Sequence, residues 1–114
     1  MLNGHSQSLR RLLEAYERVS AGHLRLNPDL QLLSCEGRGV ELTATETAMM
    51  HALLRSAGST VPQRELIASL WPQHDPKTCK NRLYAHVFTL RRKLAQACTG
   101  ASIQRSLHGY RLTL

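Results

Sequence analysis

Hydrophobic residues recur at helical spacing in four segments of the chain. The first, residues 6–20, repeats apolar side chains three and four positions apart and predicts an amphipathic helix that ends at Gly22. The second helix is predicted over residues 43–58 and opens with Thr43 and Glu46 at the spacing of a capping box. The apolar face predicted for this second helix consists of Met49, Met50, Leu53 and Leu54.

Two more helices are predicted in the second half of the chain. Pro62 stands near the first helical position of one of them, where its missing N–H costs little. The residues of this helix expected to face inward are Leu66, Ile67, Leu70 and Trp71. After the break at "PQHDP", Asp75 is expected to cap a third body helix that begins at Pro76 and continues to about Ala97.

Short apolar runs separated by turn residues predict strands at both ends of this helical region. Between His23 and Leu42, the turn signals "NPD" and "EGRG" divide the chain into three or four short antiparallel strands. The segment 102–114 predicts a hairpin of two strands joined near His108-Gly109. The predicted fold class is therefore α+β, with an N-terminal helical segment at 1–22 and one domain at 23–114.

The last predicted helix has two faces of different chemistry. Its apolar stripe consists of Leu83, Val87, Leu90 and Leu94. The opposite face carries Thr78, Asn81, Arg82, Ala85, Phe88, Thr89 and Arg92. A small central residue flanked by Asn, Arg and Thr suits a helix that lies in the major groove of DNA and reads base edges. An ordinary amphipathic helix with a solvated polar face is the alternative.

Two further features of this helix bear on the choice. Arg91, Arg92 and Lys93 lie where a helix leaving the groove meets phosphates. Phe88, the only phenylalanine in the chain, does not fit a solvated polar face. It could contact a thymine methyl or a sugar, anchor a second protein chain, or be covered by the hairpin, and these three alternatives stay open.

Charge is distributed unevenly along the sequence. Residues 1–76 carry 7 basic and 8 acidic side chains, whereas residues 77–114 carry 8 basic and no acidic ones. A near-neutral body with a basic end is expected of a protein that binds a polyanion. A solvated basic surface that favours solubility is the other interpretation.

Other signals exclude several classes of protein. The sequence has no apolar run long enough to span a membrane, and its three cysteines indicate no disulfide framework. We therefore expect a cytosolic, nucleoid-associated protein with free thiols. We expect no enzyme, metal site or cofactor, since no catalytic or metal-binding motif is present. Cys79, between two lysines, suits either a redox sensor or, more simply, a small packing residue.

Five segments follow one another along the chain: "LRLNPDLQLL", "VELTATE", "RELIASLW", "RLYAHVFTLRRKL" and "HGYRL". In this order they resemble the winged helix-turn-helix effector domain of OmpR/PhoB-type response regulators. The resemblance covers His23 to Leu112. It implies a sequence-specific regulator of transcription that binds double-stranded DNA, with the third helix in the major groove and the hairpin as a wing in the minor groove. It also implies that the loop before the third helix contacts RNA polymerase.

The resemblance assigns roles to individual residues. Positions that face bases or the nearby backbone are Asn81, Arg82, Ala85, Phe88 and Thr89, and positions that face phosphates are Arg91 and Arg92. Core positions are Trp71, Leu83, Val87, Leu90 and Tyr110, and His86 matches a histidine that is structural or contacts phosphate. The family usually has an acidic residue where Tyr84 stands. It also usually has Arg and Gly where the wing here reads Ser106 and Leu107, so Arg105 or His108 is expected to replace the basic wing residue.

The resemblance does not extend to a receiver domain, since only about 22 residues precede the winged helix. Met1 and the predicted N-terminal helix favour a stand-alone regulator over a trimmed effector domain. Such a regulator is expected to form a homodimer, and the helix at 6–20 is the candidate element. The alternative function is a protein-interaction module that reuses the fold, with Phe88, Leu107 and the apolar stripe of the N-terminal helix in its interface.

Overall fold

The computed structural model describes residues 20–98 and 100–114. Within these residues, seven strands and three α-helices follow one another in an α+β arrangement. In chain order they are β1 (Ser20–Ala21), β2 (Leu24–Asn27), β3 (Leu32–Cys35), β4 (Arg38–Glu41), α1 (Ala44–Arg55), β5 (Val61–Pro62), α2 (Gln63–Leu70), a 3-10 turn (Pro76–Thr78), α3 (Lys80–Ala97), β6 (Ser102–Ser106) and β7 (Gly109–Thr113). The predicted helix at 6–20 lies outside the described residues except for its last residue, which belongs to β1.

The first four strands form one antiparallel sheet in the order β1-β2-β3-β4, which confirms the predicted N-terminal sheet. Glu36 and Gly37 join β3 to β4 with φ values of 49° and 85°. Positive φ at both turn residues matches the twist of the flanking strands, so the "EGRG" signal produces a tight hairpin. Gly22, predicted to end a helix, instead lies in the turn between β1 and β2 with φ of 59°.

Helix α1 begins with the capping box that its sequence predicts. The Thr43 hydroxyl accepts from the Glu46 amide at 3.1 Å, and the Glu46 carboxylate accepts from the Thr43 amide at 2.8 Å. The four predicted apolar residues of α1 are all buried. The helix ends at Arg55, three residues before Gly58, which occupies the following turn with φ of 85°.

A second sheet joins the C-terminal hairpin to the start of α2. Its order is β5-β7-β6, and the short strand β5 was missing from the sequence prediction. A Cβ at Gly109 would lie 2.0 Å from the Val61 carbonyl oxygen, so only glycine lets β5 pair with β7 at this point. The hairpin turn consists of Leu107 and His108, one residue earlier than predicted.

Helix α3 lies between the two sheets, in contact with β3, β4 and β6 as well as with α1. The predicted apolar stripe of this helix is buried. Its four residues are each at most 2% exposed: Leu83, Val87, Leu90 and Leu94. In α2, Leu66 and Ile67 are buried and Leu70 is only half-buried, as is Trp71 directly after the helix. The predicted architecture of three helices, a small sheet and a hairpin wing is confirmed. Within the described segments, no helix is both long and apolar enough to cross a membrane.

The three cysteines are free thiols. A hydrogen bond with the Cys98 thiol, together with burial, raises the pKa of the Cys35 thiol to about 11. Cys79, which precedes α3, is 1% exposed. A redox sensor needs a thiol that oxidants can reach, so burial favours the interpretation of Cys79 as a small packing residue.

Candidate nucleic-acid interface

Helix α3 presents a continuous exposed face to solvent. The helix has 18 residues and is therefore about 27 Å long, enough to lie along a DNA groove. The exposed side chains on this face are Asn81, Arg82, Ala85, Phe88, Thr89 and Arg92. They are the residues that the periodicity predicted to point away from the core, with the exception of Thr78.

Thr78 lies outside the helix because α3 begins at Lys80, four residues later than predicted. Asp75 caps a 3-10 turn instead, and its carboxylate accepts from the Lys77 amide at 3.0 Å. The Thr78 hydroxyl donates to the Asp75 carbonyl oxygen at 2.8 Å. Its hydroxyl therefore serves the turn, and Thr78 does not share the exposed face of α3.

Phe88 is 62% exposed. The alternative in which the hairpin covers its ring is therefore wrong. Phe88 lies between Ala85, one turn earlier, and Arg92, one turn later, both exposed. Its ring is thus available to whatever approaches the face of α3.

Trp71 connects the end of α2 to the first half of α3. The guanidinium carbon of Arg82 lies 5.3 Å from the centroid of its ring, within the range of a cation–π contact. The centroid of the His86 ring lies 5.8 Å from the centroid of the Trp71 ring. These contacts place the Arg82 guanidinium against the Trp71 ring at the edge of the exposed face.

The wing is joined to α3 through Tyr84. Arg105 of β6 lies with its guanidinium carbon 5.2 Å from the Tyr84 ring and donates to the Tyr84 hydroxyl at 3.4 Å. Tyr84, which stands where an acidic residue was expected, therefore positions a basic side chain of the wing. The wing tip itself carries Leu107, which is 88% exposed, and the exposed His108.

A basic groove, which we define by Arg64, Lys77, Lys80, Arg105 and His108, is lined by the start of α2, the 3-10 turn, the start of α3 and the wing. Asp75 is the only acidic residue in its lining. The first three residues were absent from the predicted site. Lys77 and Lys80 were visible in the charge distribution of the sequence, but Arg64 comes from a different helix, and only the fold brings it to them.

The comparisons with known proteins give the family. A family described as "Transcriptional regulatory protein, C terminal" matches residues 37–112, which is more than half of the chain. The chain belongs to this family. The predicted resemblance to OmpR/PhoB-type regulators is confirmed, and membership favours transcription regulation over the protein-interaction alternative.

Several known proteins are similar to this chain in sequence or in structure. "Transcriptional regulatory protein QseB" of Escherichia coli O157:H7 is 31% identical over 101 residues, which are 89% of this chain and 43% of QseB. The C-terminal domain of the nisin resistance regulator NsrR is 25% identical with a TM-score of 0.70, covering 84% of this chain and 97% of that domain. The DNA binding domain of CpxR from E. coli is 26% identical with a TM-score of 0.62, and the match covers 82% of this chain and 93% of that domain. The chain spans less than half the length of the curated relatives it matches.

Arg91 is engaged with the wing in this member of the family. Its Nε donates to the Ile103 carbonyl oxygen at 3.0 Å, and its guanidinium carbon lies 5.9 Å from the ring of the buried Tyr110. Both partners belong to the hairpin. Arg91 therefore fastens α3 to the wing, a role that sequence periodicity does not indicate.

Lys93 is paired with a buried carboxylate. Its Nζ lies 2.6 Å from Oε1 of Glu46, whose side chain is 2% exposed. Burial raises the pKa of the Glu46 carboxyl, but hydrogen bonds from Lys93 and Thr43 outweigh that effect, so its pKa lies below its ordinary value. Lys93 is thus the counter-ion of Glu46.

Proposed function

We propose that this domain binds double-stranded DNA in a sequence-specific manner and thereby regulates transcription from chromosomal DNA. The observation that carries the proposal is the exposed face of α3, which joins hydrogen-bonding and cationic side chains to a small centre. Family membership supports it, and the similar domain of CpxR is described as a DNA binding domain. A helix of this width fits the major groove of B-DNA.

Base reading is assigned to the first two turns of α3. Ala85 lets the helix axis approach the base edges. Asn81 suits adenine, which it can pair with through two hydrogen bonds, and Arg82 suits guanine in the same way. Thr89 follows one turn after Ala85, and its hydroxyl donates to the His86 carbonyl oxygen at 3.0 Å, which leaves an oxygen lone pair for a base amino group.

Phosphate contacts are assigned to the rim of this face. Arg92 lies at the later end of the exposed face, and the basic groove lies at its beginning, so the two flank the base-reading residues. Arg105 and His108 at the wing are the candidates for contact with the adjacent minor groove. Each phosphate that such residues neutralise releases counter-ions, so binding should weaken steeply with salt.

Fluorescence anisotropy with a duplex selected from random sequences tests the proposal. We expect Arg82→Ala to weaken the selected duplex more than a random one, whereas Arg92→Ala should weaken both alike and reduce the salt dependence. Arg38→Ala is the matched control, because Arg38 lies on β4, which packs against the buried side of α3. Equal binding of selected and random DNA by the unaltered protein at every salt concentration would refute specific reading.

Two protein partners complete the proposal. Homodimerisation through residues 6–20 stays a prediction, since that segment lies outside the described residues, and sedimentation of the protein with and without the segment tests it. Contact with RNA polymerase is assigned to the exposed loop at 72–75 beside α3. A His74→Ala change that lowers transcription in a reconstituted assay while DNA affinity stays unchanged would support this contact, and unchanged transcription would oppose it.

A further inference from the structure

Phe88 is an isolated hydrophobic side chain on a polar and cationic face. The other large exposed hydrophobic residues in the described part of the chain are Leu30, Leu107 and Leu114, none of which lies on α3. The neighbouring exposed side chains on α3 are Asn81, Arg82, Ala85, Thr89 and Arg92. The ring therefore lacks the contiguous apolar surroundings that a protein interface normally has at its centre.

The charge around Phe88 specifies what can approach it. No acidic residue occurs after Asp75, so α3 and the wing themselves carry positive charges and no negative side chain. A ligand that covers this face must bring negative charges for the arginines and one apolar group for the ring. Double-stranded DNA has both in its major groove, where phosphates line the rim and the C5-methyl group of thymine is the apolar group among the base edges.

The position of Phe88 on the helix agrees with this pairing. Phe88 and Ala85 lie one turn apart and about 60° apart around the axis, so the ring stands beside the small residue where the helix can approach closest. Its neighbour Tyr84, at the preceding turn, is held by Arg105 and cannot swing over Phe88 without losing that contact. The ring therefore projects toward the same groove floor as the residues assigned to base reading.

We propose that Phe88 is a specificity-determining residue that contacts the C5-methyl group of a thymine in the binding site. This inference rests on the proposed function, since it needs α3 in the major groove. Burial of one carbon against an apolar surface changes an equilibrium constant by about three- to fivefold. The preference for thymine over uracil at one or two positions should therefore be of this size.

A scan of the selected duplex in which each thymine is replaced singly by deoxyuridine isolates the methyl group, since base pairing is unchanged. For the unaltered protein we expect affinity to fall about three- to fivefold at one or two positions and to stay constant elsewhere. For Phe88→Ala the same replacements should have no effect, and for Phe88→Leu a smaller effect should persist. Leu30→Ala, which removes an exposed hydrophobic residue away from α3, should keep the full methyl dependence. Circular dichroism confirms that each variant is folded.

The outcomes separate this inference from the function on which it rests. The methyl contact is refuted if the unaltered protein prefers the selected duplex but no deoxyuridine replacement lowers its affinity. It is also refuted if the Phe88→Ala variant still loses affinity on the same replacements as the unaltered protein. In both cases specific binding stands. If selected and random DNA bind alike, the proposed function itself fails. If Phe88→Ala instead abolishes self-association measured by sedimentation without DNA and leaves the uracil scan flat, the ring is a protein contact and the inference is wrong.

Discussion

Replacing Lys93 by methionine leaves the buried Glu46 carboxylate without its counter-ion. Methionine keeps the unbranched apolar stem, so the change removes mainly the ammonium group that lies 2.6 Å from Oε1. The carboxylate keeps the hydrogen bond that it accepts from the Thr43 amide, but it stays 2% exposed and charged near neutral pH. A buried group that loses its charged partner is strongly destabilising because water cannot replace the partner.

The magnitude follows from the exposure of the two side chains. Lys93 is 28% exposed and Glu46 2% exposed, so the pair lies between a surface ion pair and a fully buried one. We therefore expect the free energy of unfolding to fall by about 1–3 kcal/mol at pH 7. Urea unfolding followed by the fluorescence of Trp71, the only tryptophan, should show a midpoint lowered by on the order of 1 M.

The dependence on pH distinguishes an orphaned charge from lost packing. Because the pKa of Glu46 is lowered in the folded protein, its contribution to stability is present above the unfolded value, roughly 4.3, and is lost as pH falls through the folded pKa. Loss of Lys93 raises the folded pKa, so the variant can protonate Glu46 and relieve the charge at a higher pH. The difference in stability between the two proteins should therefore narrow from pH 7 to pH 4.

Lys80→Met is the matched control, since Lys80 is an exposed lysine at the start of the same helix. We expect it to change stability by less than about 0.5 kcal/mol and to weaken DNA binding instead. The double change Glu46→Gln with Lys93→Met should recover part of the lost stability. The ion-pair account would be refuted if Lys93→Met lowered the free energy of unfolding no more than Lys80→Met does. It would also be refuted if the loss caused by Lys93→Met were the same at pH 7 and pH 4.

Three further predictions concern the wing and the thiols. Gly109→Ala places a Cβ 2.0 Å from a β5 carbonyl oxygen, so thermal melting should show the folded state destabilised by about 1–3 kcal/mol or more. Gly100→Ala is the control and should be nearly neutral in the same experiment, because its Cβ would meet nothing within 4 Å. Arg91→Ala loses a hydrogen bond to the wing, so the free energy of unfolding measured in urea should fall by about 1–2 kcal/mol. An unchanged free energy of unfolding would contradict the role of this bond. Cys35, 5% exposed and with its pKa raised to about 11, should resist iodoacetamide at pH 8 until the protein is unfolded; rapid labelling of the native protein would contradict its burial.

Local patterns predicted most of the secondary structure, because helix caps and apolar periodicity involve residues that are near in sequence. The capping box of Thr43 and Glu46 spans three residues, and the apolar stripe of α3 repeats every three or four. The start of α3 was misjudged for a similar local reason. An Asp-Pro pair caps a 3-10 turn as well as an α-helix, and only the observed backbone distinguishes them.

The candidate site was predicted in part. The exposed face of α3 followed from periodicity once the buried stripe was known, and it contains six of the seven residues expected there. The exposure of Phe88 did not follow, since periodicity leaves open whether another element covers a residue. The basic groove also did not follow, because Arg64 reaches it from α2 and the fold alone joins the two helices there.

By itself, the sequence determined most of the elements and their order, the buried stripe of α3 and the concentration of positive charge after Asp75. Each of these depends on spacing along the chain or on composition. The tertiary structure decided which of these charges are paired within the domain. Lys93 and Arg91 look like their neighbour Arg92 in the sequence, yet one neutralises Glu46, 47 residues away, and the other binds a wing carbonyl 12 residues away. Long-range pairs of this kind leave no periodic signal, so only the fold shows which cations also have partners inside the domain.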